Sequence, residues 1–369
     1  RMSNRGRLIY RLAQQSPLSL LTLSSSPFIS SSTHISSILS RSIHTTTSTH
    51  ARFRTTTPPP IKDIGLILPQ NIDSPYESGQ LFIHRLFAYK GIILASFKCK
   101  LNEKKDNVKD VISSLETQYQ VLIHRGDWST MGFPVDLTGY LAENNSIAGR
   151  GEKVMTTMNG LDCVSHSDII PFAGSERSPI DHDLFERIFQ SVDDNGEGSG
   201  VPVIRYGIRS EIRPFYTSSA RSWMAPIHVN RECHEGIEVT VTTFYLGSTL
   251  QMGAAKHMWR YVIRLNNISG QTVIVRERHL KVFSVNNMHQ LNGHGVVGRQ
   301  PELTPSRPAF QFSSNVDLSQ SKGGHMWGSF KMERENGTTF EVPIPAFQLD
   351  STIIESSSSQ PSITGNEQE

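Results

Sequence analysis

Three glycines, Gly293, Gly295 and Gly298, stand in the stretch LNGHGVVGRQP with the spacing G-x-G-x-x-G, and Arg299 follows them. In a dinucleotide-binding turn this spacing closes a strand onto a helix and aims the helix N-terminus at a pyrophosphate. Here the glycines run into GRQPELTPSRPAF, prolines and then a strand-like segment, so no helix is available to supply that field. Two readings follow: a glycine-rich turn between strands, which the context favours, or a nest of backbone N–H groups that takes a phosphate-like anion with help from Arg299. Other arrangements with chemical potential are thinner. The sequence has no G-x-S-x-G elbow, no P-loop ending in Gly-Lys-Ser/Thr and no H-E-x-x-H. Asp127 beside Trp128, and His166 with Asp168, read as loop hydrogen bonding, because no nucleophile, base and oxyanion donor gather around them. His279, His289, His294 and His325 fall in one region, and with 14 histidines in the chain chance grouping is expected over a metal site. The turn DDNGEGSG lacks the spacing and closing Glu of a calcium loop. A non-enzymatic chain with no cofactor and no metal is therefore expected.

Two further constellations point to macromolecular partners. RYGIRSEIRPFYTSSARSW interleaves Arg205, Arg209, Arg213 and Arg221 with Tyr206, Phe215, Tyr216 and Trp223. Such side chains stack on exposed bases, anchor protein interfaces, or simply pack a connector between domains. Arg209, Arg213, Tyr216 and Trp223 are the candidate partner surface. HRLFAYKG and LIHRGDW offer His84, Arg85, Lys90 and Arg125 as candidate DNA contacts. Charge weighs against strong DNA binding. The formal net charge of +2 includes Arg1, Arg5, Arg7, Arg11, Arg41, Arg52 and Arg54, all ahead of the first acidic residue, Asp63. Without those 7 of the 36 basic residues, 29 face 34 acidic ones and the body carries about −5. A nucleic-acid binder usually shows a basic excess or stripe.

The elements that must position these residues read mostly as strands. Residues 1–58, acid-free and rich in Ser, Thr and Arg, have the composition of a mitochondrial transit peptide with processing near Ala51 and initiation at Met2. Within it Leu8, Ile9 and Leu12 can share one helical face. No apolar run approaches the roughly 18 to 20 residues that cross a bilayer, so no membrane span is expected. Cys99, Cys163 and Cys233 are scattered and are expected as free thiols. From 74 to 173, short aromatic and β-branched runs (GQLFIHRLFAYKGIIL, YQVLIHRGDW, LDCVSHSDIIPF) suggest a small β barrel, interrupted by KLNEKKDNVKD, read as a solvated loop. Residues 174–230 form a connector, with Leu184, Phe185, Ile188 and Phe189 on one face of a short helix capped by Asp181. From 231 to 354 the pattern has period two. Trp259, Tyr261, Ile263 and Leu265 alternate with Arg260, Val262 and Arg264, which predicts one buried and one wet face. Roughly seven such strands predict an immunoglobulin-like sandwich. Residues 355–369 are expected to be a disordered tail.

Motifs in fixed order strengthen this reading. RYVIRLNN, RERHLKVFS, GHGVVGRQPEL, FQFSS, GHMWGSF and VPIPAF resemble the bacterial ApaG domain, although Leu280 stands where that family usually has Trp. GQLFIHRLFAYKGIIL, YQVLIHRGDW and VSHSDIIPF resemble the YccV-like, or hemimethylated-DNA-binding, domain. The whole order of parts resembles the polymerase delta-interacting protein 2 family. That resemblance implies a mainly β chain, an SH3-like YccV barrel and an immunoglobulin/fibronectin-III-like ApaG sandwich joined by a short helical connector. It further implies a monomeric adaptor of the mitochondrial matrix or nucleoid, with a nuclear pool as a second expectation. The implied partners are a DNA polymerase delta subunit, the sliding clamp, translesion polymerases and the ClpXP protease. Direct DNA binding by the barrel and nucleotide binding by the glycine loop stand as alternatives.

Overall fold

Short runs of β-branched and aromatic residues separated by Gly, Asn and Asp turns cannot sustain helices, and the chain meets its backbone hydrogen bonds between strands instead. The computed structural model describes residues 7–11, 61–106, 108–135, 138–143, 153–192, 204–214, 219–251, 253–285 and 287–351. The expected leader, apart from 7–11, and the expected tail lie outside them. Arg7–Arg11 is a strand and not the helical turn expected there, in keeping with the strand preference of Ile9 and Tyr10. Two units divide the chain: Arg1–Leu8 with Gly65–Glu369, and Ile9–Ile64. Everything below belongs to Gly65–Glu369, and it is mainly β.

The first block is a barrel built from β1 (Leu81–His84), β2 (Lys90–Lys104), β3 (Ile112–Ile123), β6 (Leu161–Ser165) and β7 (Ile169–Ala173). Its strand order is β7-β1-β2-β3-β6, all antiparallel. Between β3 and β6 a separate hairpin, β4 (Thr138–Glu143) and β5 (Lys153–Met158), pairs on itself. The connector's helix is a single turn, α1 (Phe185–Ile188), and it starts past Asp181. Phe189 then opens β8 (Phe189–Val192), paired with β9 (Arg205–Ile208).

The second block is a sandwich. One sheet runs β10 (Pro226–His234), β11 (Ile237–Gln251), β12 (Ala254–Asn267) and β15 (Ala309–Leu318). The other has the order β14-β13-β16-β17, from β13 (Val273–Ser284), β14 (Asn287–His294), β16 (Gly324–Arg334) and β17 (Thr339–Leu349). Trp259, Tyr261, Ile263 and Leu265 from one sheet meet Val273, Val275, Leu280, Phe330, Val342 and Ile344 from the other in a core closed to solvent. Leu280 is fully buried there.

Two expectations fail for the same reason, that the blocks share structure. Lys100–Lys104 is not a solvated loop but the far end of β2, paired with β3 on one side and, in parallel, with His228–Glu232 of β10 on the other. Its charges alternate with Cys99 and Leu101, which are buried together with Val229. A bulge at Leu94, between Ile93 and Ala95, marks the passage from barrel to extension, as bulges bend and twist a strand. Second, the face of β12 expected to be wet is covered by the barrel. Arg260 is buried with its guanidinium 4.1 Å from the centre of the Phe244 ring, and burial holds its pKa down to about 10.

Arg264 is the link between the blocks. Its Nη1 donates to Asp168 Oδ2 (2.9 Å), Nε to Gln311 Oε1 (3.0 Å) and Nη2 to the Cys163 carbonyl (3.4 Å). Asp162 closes the network from the barrel side, accepting from the Tyr89 hydroxyl (2.7 Å) and Gln311 Nε2 (2.8 Å). Burial opposes the charge on Arg264, and Asp168 and Asp162 outweigh it, so the guanidinium is held more firmly protonated than usual. Removing one partner of such a pair leaves the other desolvated. Arg264→Met should therefore cost about 3 kcal/mol of stability, and adding Asp168→Leu should recover much of it; urea unfolding of the two variants checks both outcomes.

Candidate functional site

The glycine stretch is a hairpin end. Gly293 lies within β14, and Gly295 leaves it at φ +62°. Val296 and Arg299 bond each other in both directions (2.6 and 3.0 Å) around the two-residue turn Val297–Gly298, whose φ values are +50° and +71°. Glu302–Leu303 follows as a strand beside Val273–Ile274. A Cβ on Gly295 would stand 1.9 Å from the Arg299 carbonyl oxygen, so the tight turn itself requires this glycine. The amide of Gly295 donates to the Arg276 carbonyl (2.6 Å), and those of Val296 and Arg299 to each other's carbonyls. The hairpin thus commits the amides of Gly295, Val296 and Arg299 to its own carbonyls and to Arg276, and no helix starts here. Arg299 is exposed beside it.

The four candidate DNA contacts do not form a patch. His84 is wholly buried, its Nδ1 accepting from the amides of Leu86 (3.1 Å) and Phe87 (3.4 Å). Burial, reinforced by Arg264, pushes its pKa well below the usual 6.5. Lys90 is buried too, because it opens β2 in the barrel core. Arg125 is exposed but pairs with Asp183 and lies 5.6 Å from the Trp128 ring centre. Arg85 is exposed and donates to Gln70 Oε1 (3.2 Å).

The Arg-aromatic segment is divided. Arg209 donates from Nε to the Glu186 carbonyl (2.8 Å), and Arg213 is exposed. Trp223 is half-buried, stacked on Tyr140 with ring centres 5.0 Å apart, beside Phe244 and Leu246. It packs beside Cys163 of the barrel and Phe244 of the sandwich, with one ring face covered by Tyr140. Tyr216 lies outside the described residues. Among the described residues no group of three or more His, Cys, Asp or Glu could hold a metal ion, and no helix is long and apolar enough to cross a membrane.

The structure brings together a different set, which the sequence pattern did not signal. A cleft of about 450 Å³ lies between Gln70–Tyr76 and the edge of β3 at Leu115–Thr117, with Arg85, Lys98 and His166 in its lining. Ligand-sized clefts have this order of volume. One wall is fixed by a relay: the Tyr76 amide donates to the Tyr119 hydroxyl (3.0 Å), which bonds His166 Nδ1 (2.7 Å), and His166 Nε2 bonds the Asn71 carbonyl (2.5 Å). Tyr76 also stacks on His166 at 4.9 Å. His166 thus ties the loop down, and Asp168 serves Arg264. The other wall is a strand edge that, among the described residues, has no partner strand. β3 pairs with β6 only from Gln118 to Leu122, because Ser165 caps the 3-10 turn His166–Asp168 and turns the chain away. Ile72 (87% exposed) and Leu115 (75%) are the two most exposed large apolar side chains among the described residues, and both line this cleft.

Comparison with known proteins gives the arrangement a context. The ApaG domain model matches residues 248–334, within the sandwich. The chain is 35% identical over 308 residues to polymerase delta-interacting protein 2 of Homo sapiens, covering 79% of this chain and 80% of that protein. The Mus musculus protein of the same name matches over the same shares. Protein ApaG of Brucella anthropi is 39% identical over 121 residues, 32% of this chain and 92% of the bacterial one.

Two measurements test the site assignments. Burial lowers the pKa of His84, His182 and His228 below 6.5, so the unfolded chain takes up protons first as pH falls and stability drops below about pH 6.5, by up to ~1.4 kcal/mol per pH unit for each such histidine. His84→Asn, whose side-chain carbonyl can accept from the same amides, should flatten the fall in melting temperature between about pH 7 and pH 5. A β-branched residue at positive φ is strained. Val297→Asn should therefore raise stability by roughly 1 kcal/mol in urea unfolding.

Proposed function

The chain belongs to the polymerase delta-interacting protein 2 family, a family of protein-interaction adaptors, and we propose that it is a non-enzymatic adaptor for the DNA replication and damage-tolerance machinery and for mitochondrial proteolysis. The observation that carries this reading is the cleft beside the open edge of β3, an accessible, ligand-sized groove whose most exposed groups are apolar. Proteins recruit extended peptides in such places through backbone pairing and side-chain pockets. The ionisable groups at the junction support the same view, since Asp162, Asp168 and Arg264 spend their hydrogen bonds on holding two blocks together.

The names of the human and mouse relatives support polymerase delta as the first partner to test, through one of its subunits. The sliding clamp, translesion polymerases and the ClpXP protease follow from the family resemblance. The acid-free leader supports a mitochondrial matrix or nucleoid location, with a nuclear pool beside it. Direct DNA binding is the weaker reading, because His84 and Lys90 are in the core. Purified full-length chain, immobilised and offered polymerase delta subunits and ClpX separately, should retain at least one of them; retention of none would overturn the adaptor reading.

A further inference from the structure

We propose that the cleft between Gln70–Tyr76 and β3 takes an extended peptide as an added strand, paired antiparallel with Ile112–Thr117, and that the peptide carries an apolar side chain next to a carboxylate. This rests on the adaptor reading and names the partner's chemistry. The geometry of β3 supplies the backbone part. Along Ile112–Thr117 it pairs, among the described residues, only with β2, and the line of β6 ends at Ser165 opposite Gln118. An incoming strand would continue the line that β6 leaves, meeting N–H and C=O groups that no other described strand meets.

The cleft walls supply the selectivity. Ile72 and Leu115 stand on opposite sides, so one apolar side chain between them covers both. The charges are not balanced in their availability. Glu116 accepts from Ser165 Oγ and from Gln118 Nε2 (2.8 Å), and Arg231 lies 4.0 Å from it. Arg85 and Lys98 are exposed at the cleft, and among the described residues their side chains bond only neutral oxygens, Gln70 Oε1 (3.2 Å) and Thr117 Oγ1 (2.7 Å). Asp73 is the opposing carboxylate in the lining. Two cations held by neutral partners favour a peptide carboxylate, and the relay through His166 keeps the loop wall in place before the peptide arrives. β14 is also an open edge, along Asn287–His294, but the structure raises no second wall against it, and it makes the natural control.

A random-sequence phage-displayed peptide library selected on the full chain tests this. Enriched peptides should share an apolar residue with Asp or Glu close by. A synthetic copy of the strongest should slow amide exchange at Ile112–Thr117 and not at Asn287–His294. Its binding should weaken by roughly tenfold or more in Ile72→Ser/Leu115→Ser, whose side chains are too exposed for the change to disturb folding, and by less in Lys98→Gln. Enrichment of no peptide, protection at Asn287–His294 or elsewhere instead, or unchanged affinity in the double serine variant would each overturn the proposal. So would occupation of the cleft by a second copy of the chain, seen as a dimer that the serine variant dissolves. The adaptor reading fails separately: polymerase or ClpX subunits retained equally by wild type and the double serine variant sink this site alone, whereas a wild-type chain that retains neither sinks the adaptor reading.

Discussion

A guanidinium placed between two sheets constrains the rest of the molecule. Arg264 projects from the sandwich sheet into the barrel and engages Asp168, Gln311 and the Cys163 carbonyl at once. A buried ion pair contributes little net stability compared with well-packed apolar groups, because desolvation offsets most of the attraction. What it does impose is geometry. A planar donor fork satisfied by three acceptors fits in one orientation, and here that orientation fixes how the barrel faces the sandwich. Asp168 ends the 3-10 turn that begins at His166. The same turn presents His166 to Tyr119 and Asn71 and diverts the chain from β3. The Arg264–Asp168 ion pair therefore holds one wall of the cleft and opens the other.

Much of this was legible in the alternation of residues. The four large apolar residues on one face of β12, Trp259, Tyr261, Ile263 and Leu265, are all in the sandwich core. What period two cannot say is what covers the second face. Arg260 and Arg264 belong on a solvated face when a sheet stands alone, and in this chain that face is the floor on which the barrel sits. Lys100–Lys104 shows the same limit. Cys99 and Leu101 alternate with polar residues there, yet the surrounding lysines suggest solvent, and it takes β3 on one side and the distant strand at Val229 on the other to order the segment as sheet. Charge density is a local signal, and sheet partnership across more than a hundred residues is not.

The glycine stretch was readable because its flanks were. Prolines and a following strand exclude the helix that a dinucleotide site needs, and the structure returns a hairpin end in which Gly295 and Gly298 hold positive φ and Gly293 is ordinary strand. His84 and Lys90 were misplaced for the opposite reason. HRLFAYKG looks like an exposed basic turn, but only Arg85 and Ala88 point outward, and His84 instead caps the amides of Leu86 and Phe87 from inside. A histidine spaced two and three residues before the amides it accepts from is a turn former as readily as a ligand. The cleft had no sequence signal, since its lining comes from three separated segments, 70–76, 115–117 and 166–167, with Arg85 and Lys98.

Two of the open edges, β14 and the first half of β3, differ in what a guest strand would gain. Ordering a peptide and losing its free motion costs at least about 4 kcal/mol, and each exposed backbone hydrogen bond returns only about 1 kcal/mol net of water. Along β14 a guest would gain those bonds with no facing wall. At β3 it would also bury Ile72 and Leu115, each able to contribute about 1.5–3 kcal/mol when fully covered. Backbone pairing alone leaves an edge near balance, and an apolar wall opposite tips it toward binding. The loop Gln70–Tyr76 is that wall, and the His166 relay keeps it from collapsing onto the edge it faces.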